Sequence, residues 1–288
     1  MTDRNADAAN AEQIEAWNGA AGAKWVRYQN RLDRMLAPFG AAVVEAAAIK
    51  PGERILDVGC GCGATTLEAA SLAGPTGRAL GIDISLPMVT RARERSAERG
   101  LSAAFSVADA SLHDFEPGSF DLLLSRFGVM FFDAPAEAFA NLHKALARNG
   151  RLAFVCWRTM SENPWLSVPL RAAMPLLPPF DPPAPGTPGP FAFADNARVA
   201  AILTQAGFRD VGLTPFDADI VLGAPQGDAV EDALEQTLEI GPLARLLANL
   251  SDDLRARIAD TVRAELARHR TAAGVTLPGA TWIVTASA

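Results

Sequence analysis

Arg54-Ile55-Leu56-Asp57-Val58-Gly59-Cys60-Gly61-Cys62-Gly63-Ala64 is the stretch on which the fold turns. Its first five residues form the short, largely apolar run of a buried strand, and the run ends in three glycines. Glycine lets a backbone turn sharply and approach a ligand without a Cβ in the way. Residues 64–73 read as a helix, so the glycines lie between the end of a strand and the start of a helix. Unpaired N–H groups at such a helix start suit a negative group, here a carboxylate.

The same rhythm continues outward. Ala79 to Asp83 reads as the next strand, and Ser85 to Arg99 as an amphipathic helix with Met88, Val89 and Ala92 on one side and its Arg and Glu residues on the other. Ala104 to Val107 and Phe120 to Ser125 are further strands. Residues 135–148 form a helix that Asn149-Gly150 closes as a C-cap signal, and Arg151 to Trp157 is another strand. Strands alternating with helices of this length predict an α/β fold with a parallel sheet covered on both faces.

Upstream, Glu12 to Leu36 has helical spacing with a break at Gly19 and Gly22. A second helix covers Pro38 to Ile49 and stops at Pro51-Gly52. Residues 1–11 are polar and are expected to be disordered. Downstream, ten of the 20 prolines fall between Pro164 and Pro190, which predicts an irregular loop that is neither strand nor helix. A helix at 195–206 with Gly207 as its cap, a strand from Val211 to Leu222, helices at 228–248 and 251–270, and a last strand from Ala280 to Ala286 complete the chain. The last of these helices places Leu254, Ile258, Val262 and Leu266 on one face.

Composition bounds the function. A net charge of −7 argues against a nucleic-acid surface, which needs clustered Lys and Arg. Three cysteines give no disulfide framework and fit a reducing cytosol, so a cytoplasmic location is expected. No apolar run approaches the ~18–20 residues that span a bilayer. One Cys-x-Cys, Cys60 and Cys62, lacks the partners of a metal site, so no metal is expected. Cys156, in an apolar strand, reads as core.

The glycine loop alone is ambiguous, because Gly59, Gly61 and Ala64 also satisfy a dinucleotide fingerprint. Asp57 tilts the reading: an acid there supplies negative charge to a ligand's ammonium, and a pyrophosphate loop has no use for it. Asp83, at the end of the next strand, can accept from both hydroxyls of a ribose under either reading. Asp109, after the third strand, can accept from an adenine amino group.

The runs DVGCGCGATT, GIDIS followed by Met88, VADA, FDLLLSRFGVMFFDAP and GRLAFVCW together resemble the class I S-adenosylmethionine-dependent methyltransferases. Within these the chain is similar to the bacterial branch described as quinone C-methylase-like. The resemblance covers roughly residues 15–160 and extends loosely to the closing strand. It implies a Rossmann-like, mostly parallel seven-stranded sheet with an antiparallel last strand, in one domain. Residues 12–50 would be a helical cap, 51–160 the cofactor-binding core, 161–195 a Pro-rich substrate-side insertion, and 196–288 the rest of the sheet with two inserted helices. It implies S-adenosylmethionine as cofactor, held by Asp57, Gly59, Gly61, Gly63, Asp83, Ile84, Met88, Asp109, Ala110 and Ser125, with Trp25 covering it. The expected partner is a small-molecule methyl acceptor, to which Arg126, Phe127, Met130, Trp17 and Trp157 would belong. Phe131, Phe132 and Trp165 are further candidates for the pocket. His113 is the candidate base, and His143 and His269 read as surface residues. An NAD-dependent oxidoreductase and a non-catalytic cofactor-binding module are the alternatives.

Overall fold

The computed structural model describes residues 11–101 and 103–288; the expectation for residues 1–10 lies outside them. The chain opens with three helices, α1 (Ala11–Asn18), α2 (Ala20–Arg27) and α3 (Gln29–Ala47). Then follow β1 (Arg54–Val58), α4 (Ala64–Ala73), β2 (Arg78–Asp83), α5 (Leu86–Arg99), β3 (Ala103–Val107) and β4 (Phe120–Arg126). Next come α6 (Pro135–Ala145), β5 (Leu146–Trp157), α7 (Pro164–Ala173), α8 (Asn196–Gln205) and β6 (Arg209–Gly223). The chain closes with α9 (Ala229–Glu239), α10 (Pro242–Leu247), α11 (Asp252–Ala267), β7 (Arg270–Thr271) and β8 (Gly274–Ser287).

The sheet runs β3-β2-β1-β4-β5-β8-β6, and the two-residue β7 pairs with β8 off this path as an eighth strand. Strands β3 to β5 are parallel, and β8 is antiparallel to both β5 and β6. The strand order reverses between β1 and β4. In open α/β sheets the crevice beyond the carboxyl ends of the strands at such a point is where ligands bind. Ile55, Leu56, Leu122, Leu123 and Leu124 are fully buried at the sheet's centre, as expected of parallel strands covered on both faces.

Several boundaries differ from the sequence reading, each for a physical reason. The cap breaks at Gly19 as expected but runs through Gly22 and breaks again at Tyr28, and no break falls between Leu36 and Pro38, where α3 runs straight on. An interior proline costs ~3 kcal/mol. Leu32, Met35, Leu36, Phe39, Val43, Val44 and Ala47 are all buried along one stripe of α3, and at ~1.5–3 kcal/mol for each large side chain this outweighs the cost. Asn149-Gly150 is not a helix cap. Helix α6 ends at Ala145 and residues 146–150 already belong to β5, which carries an irregularity against β4. Gly150 is needed there because a Cβ would lie 2.8 Å from the Leu146 side chain and 2.9 Å from the Ala147 carbonyl oxygen.

The Pro-rich stretch is not wholly irregular. Pro164 occupies the first turn of α7, where its missing N–H goes unused, and Pro169 is buried within the helix. Asn163 anchors this segment from a fully buried position. Its Nδ2 donates to the carbonyls of Arg158, Thr159 and Ala280, and its Oδ1 accepts from the Ala280 N–H at 2.9 Å and the Trp165 indole at 3.2 Å. The helix expected at 228–248 is two helices, divided at Gly241, whose φ of 102° ordinary residues avoid. In α11, Ile258, Val262 and Leu266 are buried and Leu254 packs beside them. Helix α5 is less cleanly amphipathic than its sequence suggests: Arg95 turns inward, donating to the Cys62 carbonyl and to Asp33 Oδ2 at 2.7 Å.

A candidate ligand cavity at the carboxyl ends of the strands

A cavity with about 1280 Å³ of empty space, part of it open to solvent, lies over the carboxyl ends of β1, β2 and β4. The walls divide by sequence. Val58, Gly59, Gly61, Ile82, Asp83, Ile84, Met88, Ala108, Asp109 and Ala110 form one side; Leu32, Met35, Leu36, Arg126–Gly128, Met130–Phe132, Trp157, Trp165 and the 240–245 turn contribute to the other.

On the first side the glycine loop is shaped by close backbone approach. Gly59 has φ +68°, and a Cβ on it would sit 2.5 Å from the Cα of Gly128 in the turn after β4. Gly61 has φ +53° and faces open space, with only the Met88 sulfur within 4 Å of a built Cβ. The Asp83 carboxylate, buried at the end of β2, fixes this loop: Oδ2 accepts the Gly61 N–H at 2.8 Å and Oδ1 the Ser85 N–H at 2.9 Å. A carboxylate has about four acceptor positions, so capacity remains for a sugar's hydroxyls. Burial raises the Asp83 pKa, which these backbone donors oppose. Asp57 lies beneath the loop, fully buried. Its Oδ2 accepts from Thr65 and Thr66 at 2.7 and 2.6 Å, while its Oδ1 has no hydrogen-bond partner. Burial pushes its pKa up to about 6, against the pull of the two threonines and of Arg126. Asp109 lines the cavity, with Oδ1 accepting from the N–H and hydroxyl of Ser111.

The second side is aromatic. Phe127 stacks on Trp157 with ring centroids 4.2 Å apart, and Phe39 meets both edge-on. Phe127 has φ +63°, unusual for a bulky residue, and the strain is held where the chain must present both Arg126 and this ring. Trp17 touches Trp25 and Phe131 edge-on from the cap. The cap is tied down at both ends. Asn18 bonds the Ile84 carbonyl and the Leu86 N–H, each at 2.9 Å, and Ser85 Oγ donates to the Trp17 carbonyl. On the far side Lys24 pairs with Glu239, the Tyr28 hydroxyl donates to Glu235, and Arg31 pairs with Asp232 and Glu235 of α9.

The cavity thus takes in Gly59, Gly61, Asp83, Ile84, Met88, Asp109, Ala110, Trp17, Trp25, Arg126, Phe127, Met130 and Trp157. Four other expected positions lie elsewhere. The Ser125 hydroxyl is buried and consumed, donating to the Val58 carbonyl and accepting from the Gly128 N–H. Gly63 is packed: a Cβ there would lie 2.9 Å from the Phe105 ring. Asp57 sits behind the wall, within reach of the loop but off its surface. His113 is exposed and turned away, because its N–H bonds back to the Asp109 carbonyl and its ring lies edge-on to Phe115. His143, expected at the surface, is half-buried against Phe208, and burial lowers its pKa. Sequence reading missed Leu32, Met35 and Leu36 of the cap, and the Ile240–Arg245 turn. The Gly241-Pro242 pair was the available signal for that turn.

These residues fit an aminoacyl nucleoside. The loop leaves an open cradle at Gly61, Asp83 offers acceptors for a ribose, Met88 and Ala110 are apolar neighbours for a base, and Asp57 keeps an unpaired carboxylate oxygen behind the loop. Among the described residues no group of three His, Cys, Asp or Glu side chains could hold a metal ion, and no helix is long and apolar enough to cross a membrane. Burial holds the Cys60 and Cys62 thiols above their ordinary range, so they remain protonated.

Comparison with known proteins agrees with this geometry. A methyltransferase domain family matches residues 55–150. Aklanonic acid methyltransferase DauC of Streptomyces sp. strain C5 is 38% identical over 118 residues, 41% of this chain, and the match spans about half (54%) of that protein's length. Nocamycin O-methyltransferase of Saccharothrix syringae is 32% identical over 203 residues, covering 67% of this chain and 71% of the relative. Among solved structures, the YcgJ protein of Bacillus subtilis shares the fold, with TM-score 0.56, 14% identity, and coverage of 86% of this chain and 97% of that one. On this sequence match, with its fold and cavity, the chain belongs to the class I S-adenosylmethionine-dependent methyltransferases.

Proposed function

We propose that the protein transfers the methyl group of S-adenosylmethionine to an oxygen of a small, largely apolar acceptor. The cavity's division carries the reading: a glycine cradle with buried acids on one side faces an aromatic chamber on the other. Nocamycin O-methyltransferase, by its name an oxygen-directed enzyme, supports the choice of oxygen. The cofactor, when bound, supplies a methyl on a sulfonium that carries its own leaving group. The protein's own tasks are then alignment and exclusion of water. Gly61, Asp83 and Asp57 hold one reactant; Phe127, Met130, Trp157 and Trp17 enclose the other. Holding two reactants in line contributes up to ~7–11 kcal/mol. Residues 11–47 act as the cap, and the 160–190 segment, through Trp165, Leu166 and Pro190, as part of the acceptor wall. Three buried free cysteines fit a cytoplasmic enzyme.

Calorimetric titration with S-adenosylhomocysteine tests the cofactor half, with micromolar binding expected. Absence of binding, with NADH bound instead, would replace this reading with an oxidoreductase one.

A further inference from the structure

The cavity's charges are sorted. Asp83 and Asp109 stand at the ends of β2 and β3, on one side of β1. On the other side stand two arginines, Arg126 at the end of β4 and Arg245 on α10, among apolar residues. The Arg126 side chain is 13% exposed, and among the described residues its guanidinium makes no hydrogen bond. Its ion pair among the described residues is with Asp33 Oδ1 at 3.6 Å, beyond hydrogen-bond length, and it acts on the buried Asp57 at longer range. The other Asp33 oxygen is already taken, at 2.5 Å by Gln29 and at 2.7 Å by the buried Arg95. One carboxylate is therefore shared between two guanidiniums, and the one lining the cavity is the less satisfied. Arg245 is exposed at the cavity's rim, and no described acid pairs with it. A largely buried guanidinium with idle donors is costly unless something binds there.

A second observation concerns protons. The described residues lining the cavity include no His, Lys, Cys or Tyr. Their titratable groups are the two acids of the cofactor side and the two arginines. Among the described residues, none on the acceptor side can take a proton from a neutral hydroxyl.

We infer that the acceptor enters as an oxyanion, a carboxylate or an acidic enolate, and that Arg126 is the residue that selects and orients it; this rests on the methyltransferase reading above. An electron pair of the ionised oxygen forms the new O–CH3 bond as the C–S bond breaks, and the electrons of that bond go to sulfur. A negative oxygen and a positive sulfonium become a neutral ester or enol ether and a neutral thioether. No proton moves, so no base is required, and the apolar aromatic walls favour a step in which opposite charges cancel. Arg245 at the rim draws the anion in.

The test uses the whole chain and three probes: naphthalene-2-carboxylate, 4-hydroxycoumarin as an acidic enol, and naphthalene-2-carboxamide as the uncharged control. Affinities are measured by calorimetry, with and without saturating S-adenosylhomocysteine. At least one anionic probe should bind roughly tenfold or more tightly than the carboxamide, and which one does so distinguishes carboxylate from enolate. Arg126→Gln should abolish that preference and Arg126→Lys restore part of it. Because the preference is a ratio within one variant, general damage to the fold does not imitate its loss. The inference is overturned if the carboxamide binds as well as both anions, if neither anion binds at millimolar concentration, or if Arg126→Gln keeps the preference. Failure of S-adenosylhomocysteine to bind would count against the methyltransferase reading alone, since the anion preference is also read without it.

Discussion

Gly59 and Gly61 have the same left-handed backbone and different surroundings, so an alanine at each should fail differently. Alanine in this conformation costs ~1–2 kcal/mol. At Gly61 that is nearly the whole cost to the fold, since the new methyl meets nothing nearer than the Met88 sulfur at 3.9 Å. One kcal/mol moves the melting temperature of a chain near this size by ~2–4 °C, so Gly61→Ala should lower it by ~2–8 °C. At Gly59 the methyl would lie 2.5 Å from one backbone atom of Gly128 and 3.3 Å from another, neither of which can swing aside. Overpacking adds ~1–3 kcal/mol, giving a total of ~2–5 kcal/mol and about twice the loss. Binding should show a separate effect. The Gly61 methyl occupies the cradle itself, so affinity for S-adenosylhomocysteine should fall at least ~10-fold, or ~1.4 kcal/mol. Differential scanning fluorimetry and isothermal titration calorimetry on the two purified variants read both quantities. Wild-type affinity in Gly61→Ala, or equal stability of the two variants, would refute the assignment of Gly61 to the ligand and Gly59 to the backbone contact.

Three further outcomes are expected. Asp57 has a folded-state pKa of about 6 against an ordinary 3.8, so between these values the folded protein binds the extra proton; its contribution to stability is greatest below pH 4, falls by about 3 kcal/mol as pH rises to 6, and is flat above. Chemical denaturation across pH 4–7 should show this decline in the wild type and lose it in Asp57→Asn, and identical profiles would show that the carboxyl is not strained by burial. Asn163→Ala should cost about 3 kcal/mol, because it strips partners from the Ala280 N–H and the Trp165 indole, and a denaturant midpoint unchanged from wild type would show that water replaces them. Arg31→Ala combined with Tyr28→Phe leaves only the Lys24–Glu239 pair of the described polar ties between cap and α9, and should lower stability by only ~0.5–2 kcal/mol while speeding release of S-adenosylhomocysteine several-fold in stopped-flow fluorescence. An unchanged release rate would mean that the cap need not open.

How much was legible in the sequence depends on how local its cause is. The strand, glycine loop and helix from Arg54 to Ala73 follow from nearest-neighbour rules, and the structure has them within a residue of expectation. The acids at the strand ends were readable for the same reason: a position at the end of a parallel strand fixes where a side chain emerges. Ser125 sits at such a position and still does not face the cavity, because the neighbouring Val58 carbonyl competes for its hydroxyl. That competition involves a residue 67 positions away, and no local pattern reports it. Pro38 misled for the complementary reason, since its local penalty is real and is outweighed by burial along the rest of α3. The wall at Ile240–Arg245 was hidden because its Gly241-Pro242 pair signals only a turn, and only the fold brings that turn over the sheet.

The two walls also draw on largely different parts of the chain. The glycine loop, Asp83, Met88, Asp109 and Ala110 all fall inside the segment 55–150 that defines the family. Of the other wall, the Arg126–Phe132 stretch falls inside it as well, while the cap, Trp157, Trp165, Pro190 and the Ile240–Arg245 turn fall outside. Mutation can therefore redraw what is methylated while leaving untouched the half that holds the methyl donor. A relative sharing only the middle of this chain has the glycine-loop wall and the Arg126–Phe132 stretch, and must build the rest of the opposite wall from its own flanks.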